Sequence, residues 1–146
     1  MVVLDTSTLI LLAKCDLLPL LAEKTPLVMP REVEREALVK SELYDAKVIA
    51  SMIKDKQIQV LQLAHARHRN QVQEDFGIGA GEAEALLLAK EHGVPLGTDD
   101  WPAIKAAKIM GIPFLTAMNI LVELCQKNRL GAETALSKLD KLESIG

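Results

Sequence analysis

Short apolar runs alternate with longer, helically spaced stretches from one end of this chain to the other, and few architectures accommodate that alternation. VVL at 2–4 and LVM at 27–29 are continuously apolar, and VPLGT at 94–98 and IPFLT at 112–116 are nearly so. A strand that is apolar on both faces has to be covered on both, and strands separated by helices return in the same direction. The expectation is one α/β domain over residues 1–146, with helices on either side of a central parallel sheet. A chain of this length buries roughly two thirds of its unfolded surface, enough for a core without staples.

Local signals divide the chain further. Asp5, Thr6, Ser7 and Thr8 are cap residues ahead of LILLA, so VVLDTSTLILLA reads as strand, turn and helix. Asp16 is expected to cap a second short helix. Pro30 stands where a first helical residue belongs and opens a helix through about Lys40, and another covers about Asp45 to Lys54. Ile58 to Leu63 reads as a strand and Ala64 to Asp75 as a helix of weaker periodicity, after which GIGAG at 77–81 breaks the pattern. Helices follow from Gly81 to about His92, from Asp100 to Met110 and from Thr116 onward. Gly131 separates a last amphipathic helix carrying Leu136, Leu139 and Ile145.

In open parallel sheets, ligands collect beyond the carboxyl ends of the strands, and two predicted strands end in aspartate. Asp5 follows VVL, and Asp99 and Asp100 follow VPLGT. Each taken alone is most simply a helix cap. A third carboxylate has no such explanation: Glu82 shares a helical stripe with Ala85, Leu86 and Ala89 and so extends a buried face, whereas Glu84 lies on another side with Glu91. The helix PREVEREAL adds a fourth. With Met29, Val33 and Ala37 as the inward stripe, Glu36 falls about 60° from its centre and Glu32 and Glu34 about 100° away.

Composition narrows the partners. With 17 basic and 20 acidic residues, a net charge of −3 and a pI near 5.6, no overall positive field draws the chain to nucleic acid or membrane. Aromatic residues make up 3%, so a row of stacking rings is not the main mode of binding a strand. Cys15 and Cys125 stand alone, which argues against a disulfide framework or a cysteine zinc site. Asp5, Lys14 and Asp16 interrupt the apolar first 22 residues and no basic segment precedes them, so neither secretion nor membrane insertion is expected, and a cytoplasmic location is.

Carboxylates gathered at one partly buried edge repel one another and hold their protons unless a cation compensates them. Oxygen donors with neither cysteine nor histidine nearby suit Mg²⁺ or Mn²⁺ rather than zinc. Such an ion generates a hydroxide nucleophile and polarises a phosphoryl oxygen, which is the chemistry of phosphodiester hydrolysis.

VVLDTSTLI, VMPREVEREAL, GIGAGEAEALLLA and LGTDDWPAIKAAKIMGI, in this order over nearly the whole chain, resemble the PIN-domain nuclease family, in particular its small prokaryotic, VapC-like members. The resemblance implies a Rossmann-like sheet, an acidic cluster binding Mg²⁺ or Mn²⁺, and cleavage of single-stranded RNA by metal-activated water. Carried onto this sequence, the first family aspartate is Asp5, the glutamate of the third helix Glu36 and the helix-borne acid Glu82. The final acid falls on Asp99 or Asp100; many members place it two residues after the threonine, which favours Asp100. The helix-borne acid is usually aspartate in the bacterial toxin branch, and glutamate here departs from it. The resemblance further implies a homodimer and, for a toxin, an antitoxin partner whose peptide blocks the acidic groove.

Thr6, Ser7 and Thr98 are expected to orient the carboxylates, or simply to cap helices. HARHR at 65–69 places Arg67 and Arg69, and the helix after Asp100 places Lys105 and Lys108, where they either contact RNA phosphates or remain solvated. His65 and His68 have the spacing of metal ligands but lack companions. Two other classes of function stay open: a non-catalytic PIN-like RNA-binding scaffold, and a haloacid dehalogenase-like phosphatase. The latter wants a second aspartate where Ser7 stands.

Overall fold

The computed structural model describes residues 1–23, 25–127 and 130–145. Five parallel strands form its sheet: β1 (Val2–Leu4), β2 (Leu27–Pro30), β3 (Ile58–Leu61), β4 (Leu96–Gly97) and β5 (Phe114–Leu115). Their spatial order is β3-β2-β1-β4-β5. The described helices are α1 (Thr6–Lys14), α2 (Leu18–Ala22), α3 (Arg31–Ala37), α4 (Tyr44–Lys54), α5 (Arg69–Phe76), α6 (Ala80–His92), α7 (Trp101–Met110), α8 (Ala117–Gln126) and α9 (Ala132–Ile145). Helices on both faces make the three-layer α/β/α sandwich that the alternating runs imply.

The strand order locates the site before any side chain is considered. The chain winds outward from β1 to β2 to β3, then crosses back to lay β4 on the other side of β1. Val3 therefore pairs with Val28 on one side and Leu96 on the other. The winding direction reverses between β1 and β4, and at such a switch point a crevice opens beyond the strands' carboxyl ends. Asp5 and Thr98 are the first residues past those two strands.

α6 lies across β1, β2 and β4 and is covered by α3, α5 and α7. Enclosure on so many sides explains a sequence with almost no polar face: Gly81, Ala83 and every residue from Ala85 to Ala89 are buried. The small residues let the backbone approach the sheet, so that Glu82, near its start, arrives beside the crevice.

Several boundaries differ from the sequence expectation. Pro30 closes β2 rather than opening the helix; its ring sets φ at −77°, which suits either role, but its ψ of 165° is extended and it pairs with Leu61. α3 stops at Ala37 instead of about Lys40, because the inward stripe meets exposed Lys40 and Ser41 where its next apolar residue should be. Asp16 does not cap α2. It adopts a left-handed φ of 55°, accepts a hydrogen bond from the Tyr44 hydroxyl and lies 3.9 Å from Lys138 Nζ, while Leu17 occupies the cap position. The expected strands 94–98 and 112–116 shrink to two residues each, since Pro95 and Pro113 have no N–H to give a ladder. β3 ends at Leu61, and residues 64–75 do not form one helix. Glu91 takes the backbone N–H groups of Ala64 and His65, leaving a 3₁₀ turn at Ala66–His68 before α5. In α9, Leu136 and Ile145 are exposed and Leu142 carries the inward contact.

A candidate active site at the switch point

Asp5 performs the ordinary cap function from within the core. It is the N-cap of α1, and its Oδ1 accepts the Thr8 N–H at 3.0 Å and the Ser7 hydroxyl at 3.1 Å. Oδ2 accepts the Thr98 hydroxyl. The residue is fully buried. Burial pushes its pKa up to about 6; the hydrogen bonds from Thr98, Thr8 and Ser7 pull against that, and the Glu82 charge adds to it. Three donors thus hold a carboxyl group that is costly to ionise.

The two aspartates after β4 separate into different roles. Asp99 turns toward α8 and α1, accepting the Ala117 N–H at 3.1 and 3.2 Å and the Thr8 hydroxyl. Asp100 caps α7 through the Ala103 N–H at 3.1 Å, and its own N–H donates to Thr98 Oγ1 at 3.2 Å. Its charge is felt by Glu82, whose pKa is raised by burial first and then by Asp100 and Glu36. Asp100, rather than Asp99, thereby joins Asp5, Glu36 and Glu82 in one electrostatic neighbourhood.

Glu36 and Glu82 reach it because two glycines make room. A Cβ on Gly81 would stand 2.5 Å from Glu36 Oε1, and one on Gly79 would stand 2.7 Å from Glu82 Oε2, both inside contact distance. The GIGAG segment, legible in the sequence only as a helix breaker, is also the floor on which these carboxylates lie. Thr6 completes the arrangement by donating its hydroxyl to Glu36 Oε2 at 3.0 Å. The hydroxyls of Ser7 and Thr98 donate to Asp5, that of Thr6 to Glu36 and that of Thr8 to Asp99, the last with no sign in the sequence beyond a cap residue.

Glu84 lies apart from these acids and holds the scaffold. Pro30 offers α3 no side-chain cap, and Glu84 accepts the Glu32 N–H at 3.1 Å instead. The same carboxylate pairs with Arg69 at 3.1 Å, so Arg69 is anchored to the helix that carries Glu82. Arg67 is exposed on the 3₁₀ turn. Lys105 is exposed on α7, its Nζ 5.5 Å from the centroid of the Trp101 ring. His65 and His68 stand with ring centroids 6.3 Å apart.

No ion pair among the described residues reaches Asp5, Glu36, Glu82 or Asp100. Nor do any three Asp, Glu, His or Cys side chains among them close around one point. Glu82 shares repulsion with Asp5, Glu36 and Asp100 at the crevice. Their donor chemistry, oxygen throughout, fits a hard divalent cation, and uncompensated negative charge is what such an ion relieves.

Comparisons agree with this architecture. The family model described as DUF3368, PIN domain, matches residues 1–146. Among solved structures, PAE2754 from Pyrobaculum aerophilum is similar with a TM-score of 0.60 and 19% identity, over 86% of this chain and 96% of that one. No curated protein matches. Among the described residues, no helix is long and apolar enough to cross a membrane. A parallel sheet with its acids at the β1–β4 crevice, together with a family match over the full length, shows that the chain belongs to the PIN-domain family, a family of nuclease type.

Proposed function

We propose that residues 1–146 act as one domain, a Mg²⁺- or Mn²⁺-dependent endoribonuclease that hydrolyses single-stranded RNA at the switch-point crevice. The observation that carries this reading is the placement of Asp5, Glu36 and Asp100, each on a different element, within electrostatic reach of Glu82, with the Glu36 and Glu82 carboxylates lying against Gly81 and Gly79. Folding places like charges together at a cost, and retaining them suits a cation and a phosphodiester.

Asp5, Glu82 and Asp100 would hold the ion, with Glu36 completing the acidic rim. When bound, the ion supplies a nucleophile derived from water and stabilises the charge that builds on phosphorus. The chain's own residues do the rest. Thr98 and Ser7 fix the Asp5 carboxylate, Thr6 fixes Glu36, and the Thr98 hydroxyl ties Asp100 to the same network. Asp99 secures α8 and α1 behind them. Arg67, Arg69 and Lys105 are the basic groups proposed to meet the RNA backbone.

Cleavage of an unstructured, end-labelled RNA should require Mn²⁺ or Mg²⁺, stop in EDTA and disappear in Asp100→Asn. Metal-independent cleavage, or full activity in that variant, would overturn the assignment. The phosphatase alternative lacks its second aspartate: Ser7 stands at that position and its hydroxyl donates to Asp5 instead. Toxin activity, with an antitoxin, a homodimer and a cytoplasmic location, extends the reading on the strength of the family resemblance. Growth arrest on induced expression in a bacterial host tests it.

A further inference from the structure

The chain has a single tryptophan, and it is 59% exposed at the first position of α7, immediately after Asp100. A large ring left in water gives up burial free energy unless something covers it. Lys105 and Lys108 reach back over the ring, their Nζ atoms 5.5 and 5.6 Å from its centroid. Both ammonium groups are exposed and neither forms an ion pair with an acid among the described residues. Lys108 Nζ also lies 5.8 Å from the Phe114 centroid. In a chain of net charge −3, the start of α7 next to Asp100 thus carries one π-face and two positive charges held by aromatic rings rather than by acids. A single-stranded nucleic acid presents a matching pair of groups: a base with its own π-face, and phosphates spaced along the strand. A duplex keeps its bases stacked on each other and offers the phosphates alone.

We infer that Trp101, with Lys105 and Lys108, is a one-base stacking platform that seats a nucleotide of single-stranded RNA beside the carboxylate crevice. The inference rests on the nuclease reading and specifies how that site takes its substrate. The incoming base replaces the loosely held lysines on the ring, and the released ammonium groups meet the phosphates on either side. Trp101 directly follows Asp100, the N-cap of α7, so the platform sits on the helix end that borders the crevice. One platform fixes one nucleotide, consistent with a chain too poor in aromatic residues to bind a strand by serial stacking. It also disfavours double-stranded RNA without any contact to sequence.

Because Trp101 is the sole tryptophan, its fluorescence reports the contact directly. In EDTA, where no cleavage intervenes, titrating the whole protein with a short single-stranded RNA should quench that fluorescence saturably, and a blunt duplex of the same sequence should not. Anisotropy of a labelled strand should show binding weakened about tenfold or more in Trp101→Ala. Binding should be largely restored in Trp101→Tyr, and Lys105→Gln should lower the slope of log K against log salt by about 1. Circular dichroism checks that the variants remain folded. If Trp101→Ala binds the labelled strand as tightly as the parent while Asp100→Asn abolishes Mn²⁺-dependent cleavage, the platform is wrong and the nuclease stands. If the parent neither binds nor cuts RNA, both fail. Self-association that Trp101→Ala removes, with no change in RNA binding, would make the exposed ring a protein contact and likewise overturn the inference.

Discussion

Asp5 shows how a single residue carries opposing demands. Its carboxyl group caps α1, which favours folding, yet burial raises its pKa from 3.8 to about 6. A raised pKa means that the folded state holds the proton more tightly than the unfolded chain does. The associated stability is therefore fully present below pH 3.8 and is lost as pH rises through about 6, a difference of about 3 kcal/mol. Asp5→Asn should accordingly be more stable than the parent at pH 7, by about 1–3 kcal/mol, with the advantage vanishing near pH 4. Urea unfolding across that range measures it, and a parent whose stability rises from pH 4 to 7 relative to the variant would contradict the account. Asp99 and Asp100 should separate in the opposite sense. Asp99→Ala removes the acceptor for Ala117 N–H and Thr8 and should cost about 1–2 kcal/mol of stability. Asp100→Asn keeps an N-cap oxygen for Ala103, so its loss should fall on activity while the melting temperature changes little.

At the scale of elements, α6 both fills the core and delivers a catalytic candidate, and Gly81 makes the two compatible. Ala is the better helix former, so Gly81→Ala would ordinarily stabilise a helix by roughly 0.5–1 kcal/mol. Here the added methyl would meet Glu36 Oε1 at 2.5 Å and expel that carboxylate from its place by Thr6. The expected result is a large fall in activity with little gain in melting temperature, read by parallel cleavage and calorimetry; full activity would show that Glu36 need not lie there. Helical phase put Val33 and Ala37 on the inward stripe, and both are buried; Glu36, nearest that stripe, is the one of the three glutamates that accepts the Thr6 hydroxyl. That phase did not reveal that Glu84 caps α3 across 52 residues of sequence, since Pro30 gives no local sign of the missing cap.

For the whole molecule, the acidic crevice is a source of instability that a cation should relieve. Under the proposed reading, Mn²⁺ at about 100 times its dissociation constant should stabilise the parent by about 2.7 kcal/mol. The rise in melting temperature should be absent in Asp100→Asn and reversed by EDTA. An equal rise in parent and variant would place the ion elsewhere.

Much of this architecture was legible in the chain itself. Continuous apolar runs between helical stretches imply a parallel sheet covered on both faces, because such strands need burial on both sides and the intervening helices supply it. The aspartates at strand ends and the phase of the glutamates follow from the same local geometry, a period of two or of 3.6 residues. Those periods say nothing about which strand lies beside which. Only the tertiary order, with β4 beside β1, brings Asp5 and Asp100 to one crevice. Only there do Asp99 and Asp100, adjacent and identical in the sequence, differ, since helices α8 and α7 each claim one of them. Local sequence determines what a residue prefers; its charge, its partners and its room to move are decided by neighbours that the chain brings back from far away.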